Sequence, residues 1–479
     1  MAELEAVIGL EIHVQLATRT KMFCGCELSF GDEPNIHTCP ICLAHPGVLP
    51  VTNEQAIGYA LQIAAALECD VAPRSIFHRK NYFYPDSPKA YQISQYDIPL
   101  ASNGRLGDVR IHRAHLEEDA AKTIHVGDSG RIHGSSASLV DFNRGGTPLV
   151  EIVTEPDLRS AAEAASWARL LRETVRQLGV SDVNMEEGSL RVDGNISVRP
   201  IGSEELGTKT ELKNMNSFRF LERGIEAELA RQRELIEAGG TVSQETLHFN
   251  PSDGSLTPLR SKEEAHDYRY FPEPDLVPLA PTEAMLRAAR GSLPELPAAR
   301  IERYRKQMGL AEDTAALLAA DPETAAYFEQ AAKQADELEP RVVANWVTGE
   351  LAAALRQDGG EVSAAESKVE PAALAALVIL VQEQKISHSS GKAVLATLVA
   401  EGGDPTAIVE REGLAQISDS DELEAIVAAA VDANPEAAEQ IRSGNPKAIG
   451  AIVGAVMKET KGRADGGEVN RLIRGKLGL

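Results

Sequence analysis

Two prolines in Gly291-Ser292-Leu293-Pro294-Glu295-Leu296-Pro297 forbid one continuous helix, and the chain differs in kind on either side of them. Residues 1 to about 290 mix Gly, Pro, aromatic residues and short alternating runs, as sheets with long functional loops do. From Pro297 onward Ala and Leu dominate at helical spacing, as in Ala315 to Ala326 and Ala372 to Gln384. The expected fold class is therefore α+β: a mixed or antiparallel-sheet cradle over residues 1–293, then an all-α domain. A second break at Gly402-Gly403-Asp404-Pro405 divides the helical half into residues 294–402 and a small helical tail, 403–479. At 479 residues the chain has length for two to four domains.

Within the first half, Val7 to Leu16 alternates strictly, with Leu10, Ile12, Val14 and Leu16 on one face and Glu11, His13 and Gln15 on the other. Leu190 to Val198 does the same and collects Arg191, Asp193, Asn195 and Ser197 on its polar face. Ser160 with Glu163 forms a capping box that opens a helix to Leu178, closed by Gly179. Ser217 to Ala238 is a second helix, closed by Gly239-Gly240.

Four of five cysteines crowd into Cys24-Gly25-Cys26 and Cys39-Pro40-Ile41-Cys42, two close thiol pairs that suit a tetrahedral zinc knuckle. With four protein ligands such a site is structural, and Cys69, standing apart, reads as a small core residue. A secreted disulfide framework is excluded by the odd count and the clustering. Glu11 and His13, two residues apart on one strand face, lie about 7 Å apart at Cα, near enough to address one metal or two adjacent ones. Asp193, the run His115-Leu116-Glu117-Glu118-Asp119, and Glu151 in the apolar Pro148 to Val153 add carboxylates of the kind that hold Mg²⁺. Each of these, taken singly, also fits a solvated strand face or a satisfied ion pair. His78 to Tyr96 and Ser261 to Asp275 interleave cations with tyrosines, fitting either phosphate and base contact or a Pro-broken surface loop.

No G-x-x-x-x-G-K-[ST] or G-x-S-x-G occurs, so a P-loop and a nucleophile-elbow hydrolase are excluded. Neither a basic, apolar leader at the N-terminus nor an apolar run of about 20 residues is found, and the expectation is a soluble cytoplasmic protein with no membrane partner. The net charge of −24 excludes a uniformly basic nucleic-acid coat. Residues 401–440, however, carry eleven acids against one base, and residues 441–479 carry eight bases against three acids. The tail is thus a local basic patch, suited to phosphate contact or to balancing its acidic neighbour.

Val7 to Val14, Arg79 to Tyr96, Leu116 to Asp119, Asn143-Arg144-Gly145-Gly146-Thr147-Pro148, Met185 to Arg191, Tyr268 to Pro274 and Gly444-Asn445-Pro446-Lys447 together closely resemble the B-subunit (GatB) family of aspartyl/glutamyl-tRNA amidotransferases. The resemblance runs over essentially the whole chain. It implies ATP-dependent phosphorylation of the side-chain carboxylate of misacylated Glu-tRNA(Gln), Asp-tRNA(Asn) or both, then attack by ammonia. An amidase-type A subunit would free that ammonia from glutamine, with a small C subunit completing a heterotrimer. Carried over residue by residue, Glu11, His13, Glu118, Glu151 and Asp193 are implied as catalytic and, with Glu211, as ligands of Mg²⁺ at the mouth of an ammonia channel. Whether Glu117 or Glu118 takes that part stays open. Lys80, Tyr82, Lys89 and Tyr91 are implied to line the cradle where ATP phosphate or the tRNA 3′ end is held. Cys24, Cys26, Cys39 and Cys42 match the zinc knuckle of some members. Lys447, Lys458, Lys461, Arg463, Arg471 and Arg474 are expected to contact tRNA. The absence of a large insertion in the cradle argues against the archaeal glutamate-specific relative. A non-catalytic, zinc-stabilised tRNA-binding scaffold remains the alternative.

Overall fold

The computed structural model describes residues 3–126, 135–213, 215–260, 268–357, 363–415, 420–443, 445–460, 463–464 and 466–478. Two compact units divide the chain, Met1–Ala298 and Ala299–Leu479.

The first unit is built on strands. In chain order these are β1 (Leu4–Gln15), β2 (Asp70–Val71), β3 (His78–Asn81), β4 (Tyr91–Ser94), β5 (Ala101–Leu106), β6 (Val109–Glu118) and β7 (Lys122–Val126). They continue with β8 (Ala137–Asp141), β9 (Pro148–Thr154), β10 (Leu190–Pro200), β11 (Thr210–Lys213), β12 (Thr246–Phe249), β13 (Leu256–Arg260) and β14 (Phe271–Pro272). Nine of them form one sheet in the order β13-β12-β11-β10-β1-β9-β6-β5-β2, with β1 central. The sheet is mixed, since β11 and β12 run parallel while β1 is antiparallel to both β9 and β10. A three-stranded sheet, β14-β3-β4, and the hairpin β7-β8 stand beside it.

The alternation in β1 sets the layers. Leu10, Ile12 and Val14 are buried together with Ile152, Val192 and Ile196 of the neighbouring strands. The same core takes in Leu61 and Ala64 of α1 (Glu54–Ala66), Trp167 and Leu171 of α2 (Ala161–Leu178), and Leu221 and Ile225 of α3 (Phe218–Glu237). Each large apolar side chain among them, fully buried, stabilises the unit by roughly 1.5–3 kcal/mol. The helices end where the sequence predicts. Ser160 accepts from the Glu163 amide, Glu163 reaches back to the Arg159 amide, and Gly179 closes α2 at φ +67°. A fourth helix, α4 (Glu283–Gly291), completes the unit.

Among the described helices from residue 297 onward, six begin on proline: α5 (Pro297–Met308), α7 (Pro322–Gln334), α8 (Pro340–Asn345), α10 (Pro371–Gln382), α12 (Pro405–Glu412) and α14 (Pro435–Arg442). Proline is pre-set for that position because the amide it lacks has no intrahelical partner there. Between them lie α6 (Glu312–Ala319), α9 (Ala352–Gln357), α11 (His388–Glu401) and α13 (Ser420–Ala433). A π-helical turn, Trp346–Leu351, joins α8 to α9, and α15 (Ile449–Glu459) and α16 (Gly466–Leu477) follow α14. Two cores serve the second unit. Tyr304, Phe328, Trp346, Leu374 and Leu395 anchor one, and Leu423, Val427, Ile452, Val456 and Ile473 anchor the other. Ile408 and Val409 of α12 lie in the first of these, and Leu423 is the first residue of the other. No described helix is long and apolar enough to cross a membrane.

Candidate active site

Because side chains alternate along a strand, the register of the central strands decides what meets on the face opposite the core. Glu11 pairs with Asp193 across β1 and β10, and His13 pairs with Glu151 across β1 and β9. His115 on β6 pairs with the same Glu151. These residues floor a cavity of about 820 Å³, walled by Lys80, Tyr82, Tyr91, Tyr96, Tyr268 and Tyr270.

His13 joins two groups of candidate metal ligands. One is Glu11, His13 and Asp193; the other is His13, Glu117 and Glu151; within each, the ligand atoms lie within 4.8 Å of one another. His13 Nε2 is 3.6 Å from both Glu117 and Glu151. So many carboxylates in a shielded place alter one another. Burial, with Glu151 and Asp193 near by, raises the Glu11 carboxyl above its ordinary value. Burial alone would lower the His13 imidazole, but Glu151 and Glu117 hold it up to about 9. Glu117 and Glu151 are held below the usual carboxylate range, because His115, His13 and Lys80 outweigh the burial that would raise them. An oxygen-rich set with one imidazole, crowded enough to perturb its own carboxyls, fits a hard divalent cation such as Mg²⁺.

The structure separates the two adjacent glutamates. Glu117 faces His13 and accepts from Ser94 Oγ at 3.1 Å. Glu118, which the resemblance assigned to the ligand set, instead pairs with Lys89 and accepts from the Ile93 amide at 2.9 Å. Successive side chains on a strand point to opposite faces, so only one of the pair can join the floor. Glu211 is tied in indirectly, since Lys213 Nζ lies 2.8 Å from Asp193 and 3.3 Å from Glu211. Glu211 also accepts from Thr246 Oγ1 at 2.9 Å.

The cradle residues take up distinct places. Lys80 on β3 sits 4.8 Å from the Tyr268 ring centroid. Burial disfavours its charge, yet Tyr270, Glu117 and Glu151 outweigh this and keep it firmly protonated. Tyr82 stacks on Tyr84 at 4.6 Å, and Tyr96 on Tyr270 at 4.4 Å. Tyr91 lies under the Arg79 guanidinium at 4.4 Å, and Glu273 grips that guanidinium at two points, 2.7 Å each. Two cations that no motif marks, Arg113 and Lys213, complete the floor. Arg113 lies 3.2 Å from Glu151. Extending the alternation of β6 and β11 places both on the site face, which was the available signal.

The four clustered cysteines converge, with Sγ atoms within 4.8 Å of one another. All are free thiols, and Cys26 and Cys42 are 4.0 Å apart, close to the ~3.8 Å edge of a tetrahedron with ~2.3 Å bonds. The Cys39 amide donates to Cys42 Sγ at 3.2 Å. A hydrogen bond from Cys24, with Lys21 close by, lowers the Cys42 thiol to about 4, while burial helps push Cys26 up to about 11. Residues of this kind and spacing fit zinc.

Of the tail cations, Lys447, Lys458, Arg471 and Arg474 are exposed. Arg471 is paired with Glu468, and Arg463 Nε donates to the Thr460 carbonyl. Lys461 and Gly444 lie outside the described residues.

The family described as the GatB/GatE catalytic domain matches residues 6–287, and the GatB domain matches residues 326–477. The chain belongs to the GatB family. Its GatB relatives include the B subunit of the aspartyl/glutamyl-tRNA(Asn/Gln) amidotransferase of Brevibacillus brevis, 48% identical, with 99% of each chain covered. Proteins of the same name from Anaeromyxobacter dehalogenans and Geobacter sulfurreducens are each 49% identical, covering 100% and 99% of this chain and 99% of their own. The GatB/GatE match includes every residue of the acidic floor and the cysteine cluster, and the GatB match includes the tail cations.

Proposed function

We propose that this chain is the subunit of a tRNA-dependent amidotransferase that activates and amidates the side-chain carboxylate of misacylated Glu-tRNA(Gln), Asp-tRNA(Asn) or both. The observation that carries the reading is the pair of acidic groups sharing His13 on a cavity floor ringed by cations and tyrosines. The names of the full-length relatives support it.

A carboxylate is a poor electrophile toward ammonia. Attack of its oxygen on the γ-phosphorus of ATP releases ADP and leaves a mixed anhydride. Ammonia then adds to the carbonyl carbon, and phosphate departs with the C–O electron pair. Glu11, His13 and Asp193, with Glu117 and Glu151, would hold Mg²⁺, which when bound offsets charge on the phosphoryl oxygens. Lys80 brings a fixed positive charge to the same wall, and Lys213 holds Asp193 and Glu211 in register. Lys89 pairs with the buried Glu118 in the cavity wall, and the stacked tyrosines would offer ring faces to the terminal base of the tRNA. Ammonia would come from glutamine through an amidase-type A subunit, with a small C subunit completing the assembly, and the basic tail would hold the tRNA body.

In the assembled enzyme, Glu11→Gln and His13→Ala are expected to lower ATP-dependent amide formation at least ~100-fold with tRNA affinity unchanged. Full activity in either variant would sink the assignment. Acyl-phosphate formation from ATP and charged tRNA separates this reading from a scaffold that leaves all chemistry to partner chains.

A further inference from the structure

Lys21 is a lysine with 1% of its surface exposed, set between Cys42 of the cysteine cluster and Gly146 of the cavity wall. Its ammonium donates to the Phe142 carbonyl at 2.9 Å and approaches Cys42 Sγ at 3.7 Å. Burying an ammonium is costly unless an opposing charge compensates it, and Cys42 Sγ beside it can carry one. Four thiolates around Zn²⁺ fix that charge in place, since the unit carries two net negative charges.

The backbone around Lys21 leads away from the cysteines to the cavity. Its amide donates to the Cys26 carbonyl at 3.0 Å, and the next amide, Met22, donates to the Gly146 carbonyl at 2.8 Å. Gly146 in turn donates to the Asp119 carbonyl at 2.8 Å, beside Glu118. Gly146 holds φ +89°, and a Cβ there would stand 3.3 Å from Lys21 Cδ. The glycine therefore lets the lysine stem pass close by.

We propose that Lys21 is the charge-compensating partner of a zinc tetrathiolate, a positioning residue through which zinc occupancy holds the Asn143–Pro148 loop of the cavity wall in place. Zinc bound at the knuckle would then matter to the catalytic cradle without touching substrate.

The test uses the full-length chain in its assembly, zinc-loaded and zinc-stripped, as the native protein, Lys21→Met and Lys21→Arg. Chelator competition should show zinc held roughly 10–100-fold more weakly in K21M, with K21R recovering most of the loss. The melting temperature of K21M should fall further below native in the loaded form than in the stripped form. Hydrogen exchange of the Met22 and Gly146 amides should quicken on stripping the native protein, which keeps the test open even where K21M folds poorly. Equal zinc affinity in native and K21M protein, an equal loss of stability in loaded and stripped forms, or unchanged exchange on zinc removal each overturns the proposal.

Discussion

At the scale of single residues, the Glu117/Glu118 pair shows how much a one-position difference decides. Both are buried, and both line the cavity. Glu117 shares its face of β6 with Arg113 and His115, whereas Glu118 is spent on Lys89 and the Ile93 amide. Glu117→Gln is therefore expected to cost ~100-fold or more in kcat for amide formation, and Glu118→Gln distinctly less, when both are assayed in the assembled enzyme. Asp119 offers a pH test. Burial would raise its carboxyl, but Arg191 and Arg144, with the Gln15 amide, hold it below the usual range. A depressed carboxyl contributes stability above its unfolded value of about 3.9 and loses it as pH falls through the folded value. Asp119→Asn should therefore lower unfolding stability by about 2 kcal/mol at pH 7. The gap should narrow steadily below about pH 4 in denaturant titrations. A gap constant from about pH 7 to about pH 3 would mean the carboxylate charge contributes nothing.

At the scale of elements, the site depends on register. Moving β1 by one residue against β9 and β10 would turn Glu11 and His13 into the core and Leu10 and Ile12 out to the cavity. The apolar half of β1 is thus what aims the polar half. One close approach at the sheet's edge is similarly unforgiving. A Cβ on Gly104 of β5 would lie 2.3 Å from Cys69 Sγ and 2.6 Å from the Leu67 carbonyl. Gly104→Ala is expected to destabilise the first unit by about 2–3 kcal/mol, read from its urea midpoint, because backbone cannot yield as a side chain does. The alternating strands and the capped helices were legible in the sequence because each is encoded within a short stretch of chain. β2 and β14, two residues each, were not, since pairing partners far along the chain create them.

For the whole molecule, a net charge of −24 coexists with a cationic tail. The acidity is partly local, placed on the cavity floor and on residues 401–440, so under the proposed function tRNA attraction would fall to separate basic surfaces. Reversing charge at Lys458, Lys461 and Arg463 should weaken tRNA binding and flatten its salt dependence, by roughly 0.7–0.9 in log–log slope for each phosphate no longer neutralised. An unchanged slope would return these residues to a purely structural role. By itself the sequence determined the change from sheet to helix near residue 295, the polar faces of β1 and β10, and the four thiols of the knuckle. All of these follow from local periodicity and composition, which need no knowledge of distant partners. Only the tertiary structure decided that His13 joins two acidic groups, that Glu117 rather than Glu118 faces it, that Arg113 and Lys213 line the site, and that Lys21 lies against Cys42. These interactions link residues far apart along the chain, as Glu11 with Asp193 and Lys21 with Phe142, and strand order and register, not spacing in sequence, bring them together.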